Sequence, residues 1–359
     1  MTFHQKIRFF YRLLHRYNPF RAPVELIELG DPKSNAPIFV SGNYEHTLER
    51  LIKKLSGISC RLLVADSAGI NVWCAAGVGD FNENKIIDAI IATKLHEKTS
   101  NRVLILPQLA AIGINTKKLR DETGFSVTWG PAHFDDLNEF IRNGYKSSEN
   151  MRIAKFPFLD KLENAIGVMG VFLFPILLAF WYPRQVFFFL FSISHAAFGT
   201  LLGYDFLPAK YPANKTLLLA FLQGITAPFI HRRFKFGLTL FEKLVIGIVA
   251  HLLIAIDMIG STPFFKTTIE HWLKTGTNKS LFQPYLTENC RSCGKCVEVC
   301  PKGVLRKTSN KIQVFLESEC CECLACVKQC PFDAIQNIGP GYKDDIRSLE
   351  RKPVRRSPF

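Results

Sequence analysis

Residues 290–301 read C-R-S-C-G-K-C-V-E-V-C-P, and residues 320–331 read C-C-E-C-L-A-C-V-K-Q-C-P. Cys290, Cys293, Cys296 and Cys300 precede Pro301 in the spacing C-x2-C-x2-C-x3-C-P; Cys320, Cys323, Cys326 and Cys330 precede Pro331 in the same spacing. Three thiolates this close together can wrap one face of a 4Fe-4S cubane, and in this two-cluster pattern the fourth Cys of each run ligates the other cluster. The expected ligand sets are therefore Cys290, Cys293, Cys296 and Cys330 for one cluster, and Cys320, Cys323, Cys326 and Cys300 for the other. Zinc sites use two C-x2-C pairs instead of triplets followed twice by C-P. Of the 11 cysteines only Cys60 and Cys74 lie outside this region, and such clustering argues for metal over a disulfide framework. Cys321, beside a ligand, reads either as an inert neighbour or as a soft-metal thiol. Residues 281–338 are thus expected to form an α+β domain carrying two 4Fe-4S clusters, followed by a basic tail over 339–359.

Upstream of position 150 the pattern is different. Ala36 to Val40, Arg61 to Ala65, Arg102 to Leu106 and Ser126 to Trp129 are short apolar runs that read as buried strands. His46 to Leu55, Lys85 to His96 and Asp135 to Arg142 carry helical spacing between them. Strands alternating with helices imply an α/β parallel sheet, Rossmann-like, with right-handed crossovers. Such sheets bind ligands beyond the carboxyl ends of their strands. The first domain is expected over 1–150. Gly77-Val78-Gly79-Asp80 hints at a dinucleotide loop, but Asn82 replaces the third glycine and the loop does not join strand directly to helix.

Residues 160–262 contain four long apolar segments: Ala165 to Tyr182, Val186 to Tyr204, Thr216 to Ile230 and Leu244 to Ile259. Each is long enough, or nearly so, to cross a hydrocarbon core. The expectation is an α-helical transmembrane bundle, four spans or five, with both soluble domains facing the cytoplasm and the chain residing in the cytoplasmic membrane. Arg232, Arg233 and Lys235, between the third and fourth segments, run against a plain count of four under the positive-inside tendency. The formal net charge of +14 fits anionic lipid as a partner, and no Arg-rich, aromatic-interleaved stretch points to nucleic acid. Phe3 to Arg21 is basic throughout with no signal-length apolar core; it reads as an interfacial amphipathic helix or a packing helix. Lys266 to Leu281 is a polar linker.

After the Arg61 to Ala65 strand comes Asn71-Val72-Trp73-Cys74-Ala75-Ala76-Gly77, at the ligand edge of the expected sheet. On its own, Cys74 reads as a small buried residue. The stretch resembles the signature of the mercury-methylating corrinoid protein family, HgcA. Pro37 to Arg50, Leu63 to Gly79, Leu104 to Leu109, Thr123 to Pro131 and the multi-span region also look like that family. The 281–338 domain resembles its ferredoxin partner, HgcB, so the chain resembles a fusion of the two. The first domain is more distantly similar to the corrinoid domain of the corrinoid iron–sulfur protein of the acetyl-CoA pathway. The resemblance implies a corrinoid (cobalamin-type) cofactor capped by a short helix of Asn71, Val72, Trp73, Cys74, Ala75, Ala76 and Gly77. Cys74 would be the lower axial ligand of cobalt and the catalytic residue. No D-x-H-x-x-G run offers a histidine ligand in its place. Three features depart from the family: Val78 stands where Lys is usual, no extra thiol follows the second motif, and the tail ends Arg355-Arg356-Ser357-Pro358-Phe359 without a cysteine pair.

The resemblance implies a membrane-bound corrinoid-dependent methyltransferase, with mercury(II) as a possible acceptor. A methyl-donor methyltransferase and a low-potential electron donor would be its partners. Transfer of methyl as a carbanion equivalent leaves cobalt two electrons short, a demand that two one-electron clusters match. The alternatives are a membrane-associated ferredoxin-type electron-transfer protein, or a corrinoid methyl carrier for another substrate. Protein purified without oxygen is expected to hold about eight iron and about eight labile sulfide per chain, measured by elemental and sulfide analysis. Stoichiometric zinc with little iron would contradict the reading of the cysteine runs.

Overall fold

The computed structural model describes residues 20–155, 157–171, 174–203, 237–261 and 282–339, with Phe206, Leu218, Phe221 and Leu222 besides. These fall into two compact units, one built from 20–155 together with 282–339, the other from residues between 157 and 261.

In the first unit, strands β1 (Leu26–Leu29), β2 (Ile38–Gly42), β3 (Cys60–Ala65), β4 (Val103–Leu106) and β5 (Ser126–Trp129) form one sheet in the order β1-β3-β2-β4-β5. Strands β2, β3, β4 and β5 pair in parallel, so the expected parallel sheet is present. β3 is buried at every residue, which is why it is apolar throughout except at Arg61. β1, half-buried and unexpected from the sequence, pairs antiparallel with β3 at the edge. Arg61 ties that edge down. Its guanidinium bonds Glu28 Oε1 at 3.0 Å, Lys33 O at 2.8 Å and Pro32 O at 2.9 Å. Helices Glu45–Leu55, Glu83–Ala92 and Thr116–Thr123 lie in the three parallel crossovers, the first two close to the expected ranges and the third unexpected from the sequence; Leu137–Arg142, also close to its expected range, follows β5.

The chain leaves β2, crosses to β3 on one side, then supplies β4 and β5 on the other. The connections therefore diverge at the β2–β4 pair, the place where an open α/β sheet leaves a crevice beyond its carboxyl ends. The residues that emerge there are Asn43 from β2, Asp66 from β3 and Pro107 from β4.

Residues 282–339 carry two antiparallel strand pairs, β6 (Pro284–Leu286) with β9 (Ile335–Asn337), and β7 (Leu305–Lys307) with β8 (Ile312–Val314). Short helices Lys295–Glu298 and Ala325–Lys328 repeat at the same place in each cysteine run. Phe282, Leu305, Ile312, Val327 and Ile335 pack with Cys296 into a small core.

The second unit corrects the sequence expectation. Among the described residues no helix is long and apolar enough to cross a membrane. The transmembrane bundle over 160–262, the multi-pass cytoplasmic-membrane location and membrane lipid as a partner therefore lose their basis. A span needs about 20 consecutive, predominantly apolar residues in one helix. The first segment does not stay in one helix: Phe158–Val171 is α-helical and carries Asp160 and Lys161 in its first turn, while Phe174–Phe180 is a separate 3-10 stretch. Helix Pro183–Gly203 opens on Pro, Arg and Gln and buries Ser192; helix Leu240–Ser261 carries Glu242 and Lys243 in its first turn and buries His251. The rings of His195 and His251 meet at 5.7 Å between these two helices. Leu240, Phe241, Leu244, Val245, Ile248 and Val249 are exposed on the second of them. The third segment apart from Leu218, Phe221 and Leu222, the Arg232, Arg233 and Lys235 loop, the Phe3 to Arg21 stretch apart from Phe20 and Arg21 themselves, the Lys266 to Leu281 linker and the 340–359 tail lie outside the described residues.

Phe140 is fully buried, packed with Phe39, Leu55 and Leu62 and edge-on to Tyr145 at 5.9 Å. Phe140→Ala is expected to cost about 3–5 kcal/mol by transfer and cavity effects together. Chemical denaturation of the full chain, followed by circular dichroism, checks this.

Candidate functional site

At the crevice, the Asp66–Ile70 turn and helix Val72–Val78 follow β3. Asn71 starts the helix by accepting the N–H of Trp73 at 2.9 Å, and Gly79 ends it with φ +90°, donating its N–H to Ala75 O. The helix buries Val72, Trp73, Ala75 and Ala76, leaves Asn71 exposed, and holds Cys74, Gly77 and Val78 half-buried. The predicted site residues thus divide. Val72, Trp73, Ala75 and Ala76 anchor the helix to the protein. Asn71, Cys74 and Gly77, spaced three apart, share the outward face.

The turn beneath is knotted by Asn43, a residue sequence reading missed. Its Oδ1 accepts from Ser67 N at 2.9 Å, Gly69 N at 3.0 Å and Ser67 Oγ at 3.1 Å, while its Nδ2 donates to Asp66 Oδ1 at 3.3 Å. Ser67 Oγ also lies 2.8 Å from Ile70 O, a second acceptor for the same proton. Asp66 Oδ1 accepts the Ala68 N–H at 3.0 Å and Asp66 Oδ2 meets Lys85 Nζ at 3.0 Å. Asp66 and Ser67 thus shape the turn. Burial pushes the Asp66 carboxyl up, but Lys85, the Ala68 N–H and Arg21 together hold it below the usual range. Gly42 has no space for a side chain: a Cβ would meet Ser67 Oγ at 2.5 Å and Val72 Cγ2 at 3.0 Å. The end of β2 thereby sits directly under the start of the cap helix.

The other side of the helix packs on the 3-10 turn Gln108–Ile112, which follows β4. At Gly113 a Cβ would collide with Phe81 O and lie 2.9 Å from Ala76 Cβ. Gln108, almost wholly buried, donates to Arg152 O at 2.8 Å.

In the cysteine-rich region, a cavity of about 280 Å³, counting its open mouth, is lined by Cys290, Cys293, Cys296 and Cys330 with Leu286, Ile312 and Ile335. These are the three close thiols of the first run and the fourth of the second. Burial, then the neighbouring Cys330, Cys293 and Cys290, push the Cys296 thiol up to about 12. The second set converges as well. Burial and then Cys323, Cys300 and Cys320 raise Cys326; burial and then Cys323 raise Cys300. Cys321 lies buried beside Cys323, which together with burial raises its thiol. Wrapping thiols round a cavity forces left-handed backbone at Ser292 (φ 52°), Glu322 (φ 54°) and Leu324 (φ 59°), a strain that persists only where the surroundings hold it. Backbone N–H groups of Val304 and Ala334 donate to Cys300 and Cys330 sulfur at 3.3 and 3.4 Å. Such bonds tune the potential of a sulfur-ligated cluster. Among the described residues no three Cys, His, Asp or Glu side chains close to the spacing that a single metal ion requires.

An α/β domain with a capped crevice, joined in one unit to a paired cysteine cage, defines the class. Known proteins match the same two parts. Residues 15–141 match the family "CO dehydrogenase/acetyl-CoA synthase delta subunit", and residues 289–335 match "4Fe-4S dicluster domain". The chain is 30% identical over 139 residues to the acetyl-CoA decarbonylase/synthase complex subunit gamma of Archaeoglobus fulgidus, covering 37% of this chain and 29% of the relative. It is 31% identical over 131 residues to the subunit of the same name from Methanopyrus kandleri, covering 35% and 28%. It is 29% identical over 126 residues to the corrinoid/iron-sulfur protein large subunit of Moorella thermoacetica, covering 34% and 28%. The chain thus spans less than a third of the length of these relatives.

Asn43→Ala removes the acceptor shared by the Ser67 and Gly69 amides. It is expected to cost about 2–3 kcal/mol locally and to speed amide exchange in residues 66–70 at least about tenfold, while leaving residues 282–339 unchanged. The Asp66 contribution has a definite sign. A carboxyl whose folded value is depressed stabilises above its unfolded value, near 3.9, and that contribution fades as pH falls through the folded value. Asp66→Asn should therefore exchange faster than wild type in the 66–70 turn at pH 6, with the difference shrinking toward pH 3.

Proposed function

We propose that the chain is a corrinoid-dependent methyl-transfer protein with a built-in iron–sulfur reductant. The observation that carries the reading is the half-buried Cys74 on the outward face of a short helix lying over the sheet's ligand crevice. A thiol held there by the buried Trp73, Ala75 and Ala76 has the chemistry of a ligand for a soft metal centre. The relatives support the same assignment, since the match over the α/β domain is to corrinoid/iron-sulfur and acetyl-CoA decarbonylase/synthase subunits. On this reading residues 1–150 form the corrinoid-binding domain and 281–338 the cluster domain. Asn71, Cys74 and Gly77 face the cofactor, and Val72, Trp73, Ala75 and Ala76 hold their helix in place.

The bound corrinoid would supply a cobalt that carries the methyl group. Cys74 would ligate that cobalt through its thiolate, and its place on a fixed helix would hold the sulfur in position. Cys290, Cys293, Cys296 and Cys330 would hold one 4Fe-4S cluster, and Cys320, Cys323, Cys326 and Cys300 a second. The 280 Å³ cavity that the first set lines supports that cross-ligation. A methyl-donor methyltransferase and a low-potential electron donor are the proposed partners.

The finer reading, a fusion of the HgcA-like protein with its HgcB-like ferredoxin acting on mercury(II), is supported by the Asn71–Gly77 stretch. Against it stands Val78, where that family usually has Lys. The competing acceptor is a group carried by another protein. Formation of methylmercury by the purified, reduced protein separates the two.

Cys74→Ala is expected to bind cobalamin weakly or in a different spectral form and to lose methyl transfer, with iron content unchanged. Cys60, at the opposite end of β3, is fully buried, which pushes its thiol up to about 11. Cys60→Ala should cost only about 1–2 kcal/mol and keep the wild-type corrinoid spectrum. Equal behaviour of the two variants, both with wild-type spectra, would move an electron-transfer protein without corrinoid to the front.

A further inference from the structure

The iron–sulfur region and the α/β domain are joined by buried, directional contacts. Gln329, just before Cys330, is almost fully buried. Its Nε2 donates to Ala111 O at 2.9 Å and Ile114 O at 2.7 Å, and its Oε1 accepts from Thr116 Oγ1 at 3.1 Å. Lys328 Nζ donates to Gly113 O at 2.8 Å. Ala154 N donates to Pro301 O at 2.8 Å, and Gly303 leaves only 2.8 Å between a would-be Cβ and Ile153 Cδ1. The loop that Gln329 grips is the one whose Gly113 packs against Ala76 of the cap helix.

Both thiol sets reach this seam, the second at two positions and the first at one: Pro301 follows Cys300, the helix Ala325–Lys328 contains Cys326, and Cys330 of the first set follows Gln329. That helix packs on the Gln108–Ile112 turn. Cys293, of the first set, is exposed.

We infer that Gln329 and Lys328 are positioning residues that hold the cluster of Cys300, Cys320, Cys323 and Cys326 against residues 111–116, so that electrons leave the iron–sulfur region through that loop toward the Cys74 helix. This rests on the corrinoid reading above. Each transfer oxidises that cluster by one electron and reduces the corrinoid metal by one. A low-potential one-electron donor reduces the exposed cluster of the first set, which passes its electron inward. No side chain in the seam gains or loses a proton in the step. Gln329 can make all three of its bonds at once because an amide is both donor and acceptor.

The test uses the full chain reconstituted without oxygen with iron, sulfide and cobalamin. Gln329→Glu sets a carboxylate against two backbone carbonyls. It is expected to speed amide exchange over 111–116 by about tenfold or more and to slow corrinoid reduction after flash photoreduction by a similar factor. The electron paramagnetic resonance of the clusters should be unchanged. Lys328→Ala should move both readouts in the same direction by less, Lys328→Arg should restore them, and Gln336→Ala, on an exposed strand position, should move neither. Unchanged exchange in both Gln329→Glu and Lys328→Ala overturns the seam. Faster exchange with an unchanged reduction rate overturns the electron route. If Gln329→Glu loses its cluster signals, Lys328→Ala with clusters intact decides by the same criteria. If wild type takes up no corrinoid, the functional reading fails by itself, and the exchange data still decide the seam.

Discussion

Gly113 has no room for a β-carbon. One side of it is closed by Ala76 and the Phe81 carbonyl, and its own carbonyl accepts the Lys328 ammonium at 2.8 Å. The loop around it is thus held from two directions, by the helix bearing Cys74 and by the helix Ala325–Lys328 that carries Cys326. Close packing leaves such a loop few alternative positions, because a shift of a fraction of an ångström meets atoms on both sides. The arrangement makes the crevice of the α/β sheet and the cysteine cage parts of one compact unit, although Gly113 and Lys328 are 215 residues apart along the chain.

The sheet was legible because β2 and β3 are fully buried runs, β4 is buried but for Val103, and β5, though half-buried, is a short apolar run between polar turns. β1 was not, since Leu26–Leu29 is half-buried and gains its place from an antiparallel partner and from Arg61, which no local pattern announces. The cysteine spacing was legible for a different reason: ligand geometry is written in the sequence as fixed intervals, and the backbone adopts left-handed residues at Ser292, Glu322 and Leu324 to meet it. Asn43 and Gln329 were silent. Each acts through hydrogen bonds to residues distant in sequence, and a polar side chain between apolar neighbours looks the same whether it faces water or a buried carbonyl. Within the Asn71–Gly77 stretch the sequence marked the residues, but their division into anchoring and outward-facing sets required the helix.

The apolar segments between 165 and 260 misled for the opposite reason. Hydropathy sums composition over a window and is blind to where a helix breaks or which polar groups it buries. Phe158–Val171 and Phe174–Phe180 share one apolar run but not one helix, and Ser192 and His251 lie buried inside runs that composition alone scores as apolar.

The central claim is that a corrinoid held by Cys74 shares a unit with the clusters that reduce it. X-ray absorption at the cobalt edge of the cobalamin-loaded, anaerobic full chain tests it most directly. The account predicts a sulfur scatterer in the cobalt shell that disappears in Cys74→Ala while the iron-edge spectrum stays the same. A cobalt shell of nitrogen and oxygen only, identical in wild type and Cys74→Ala, would contradict it.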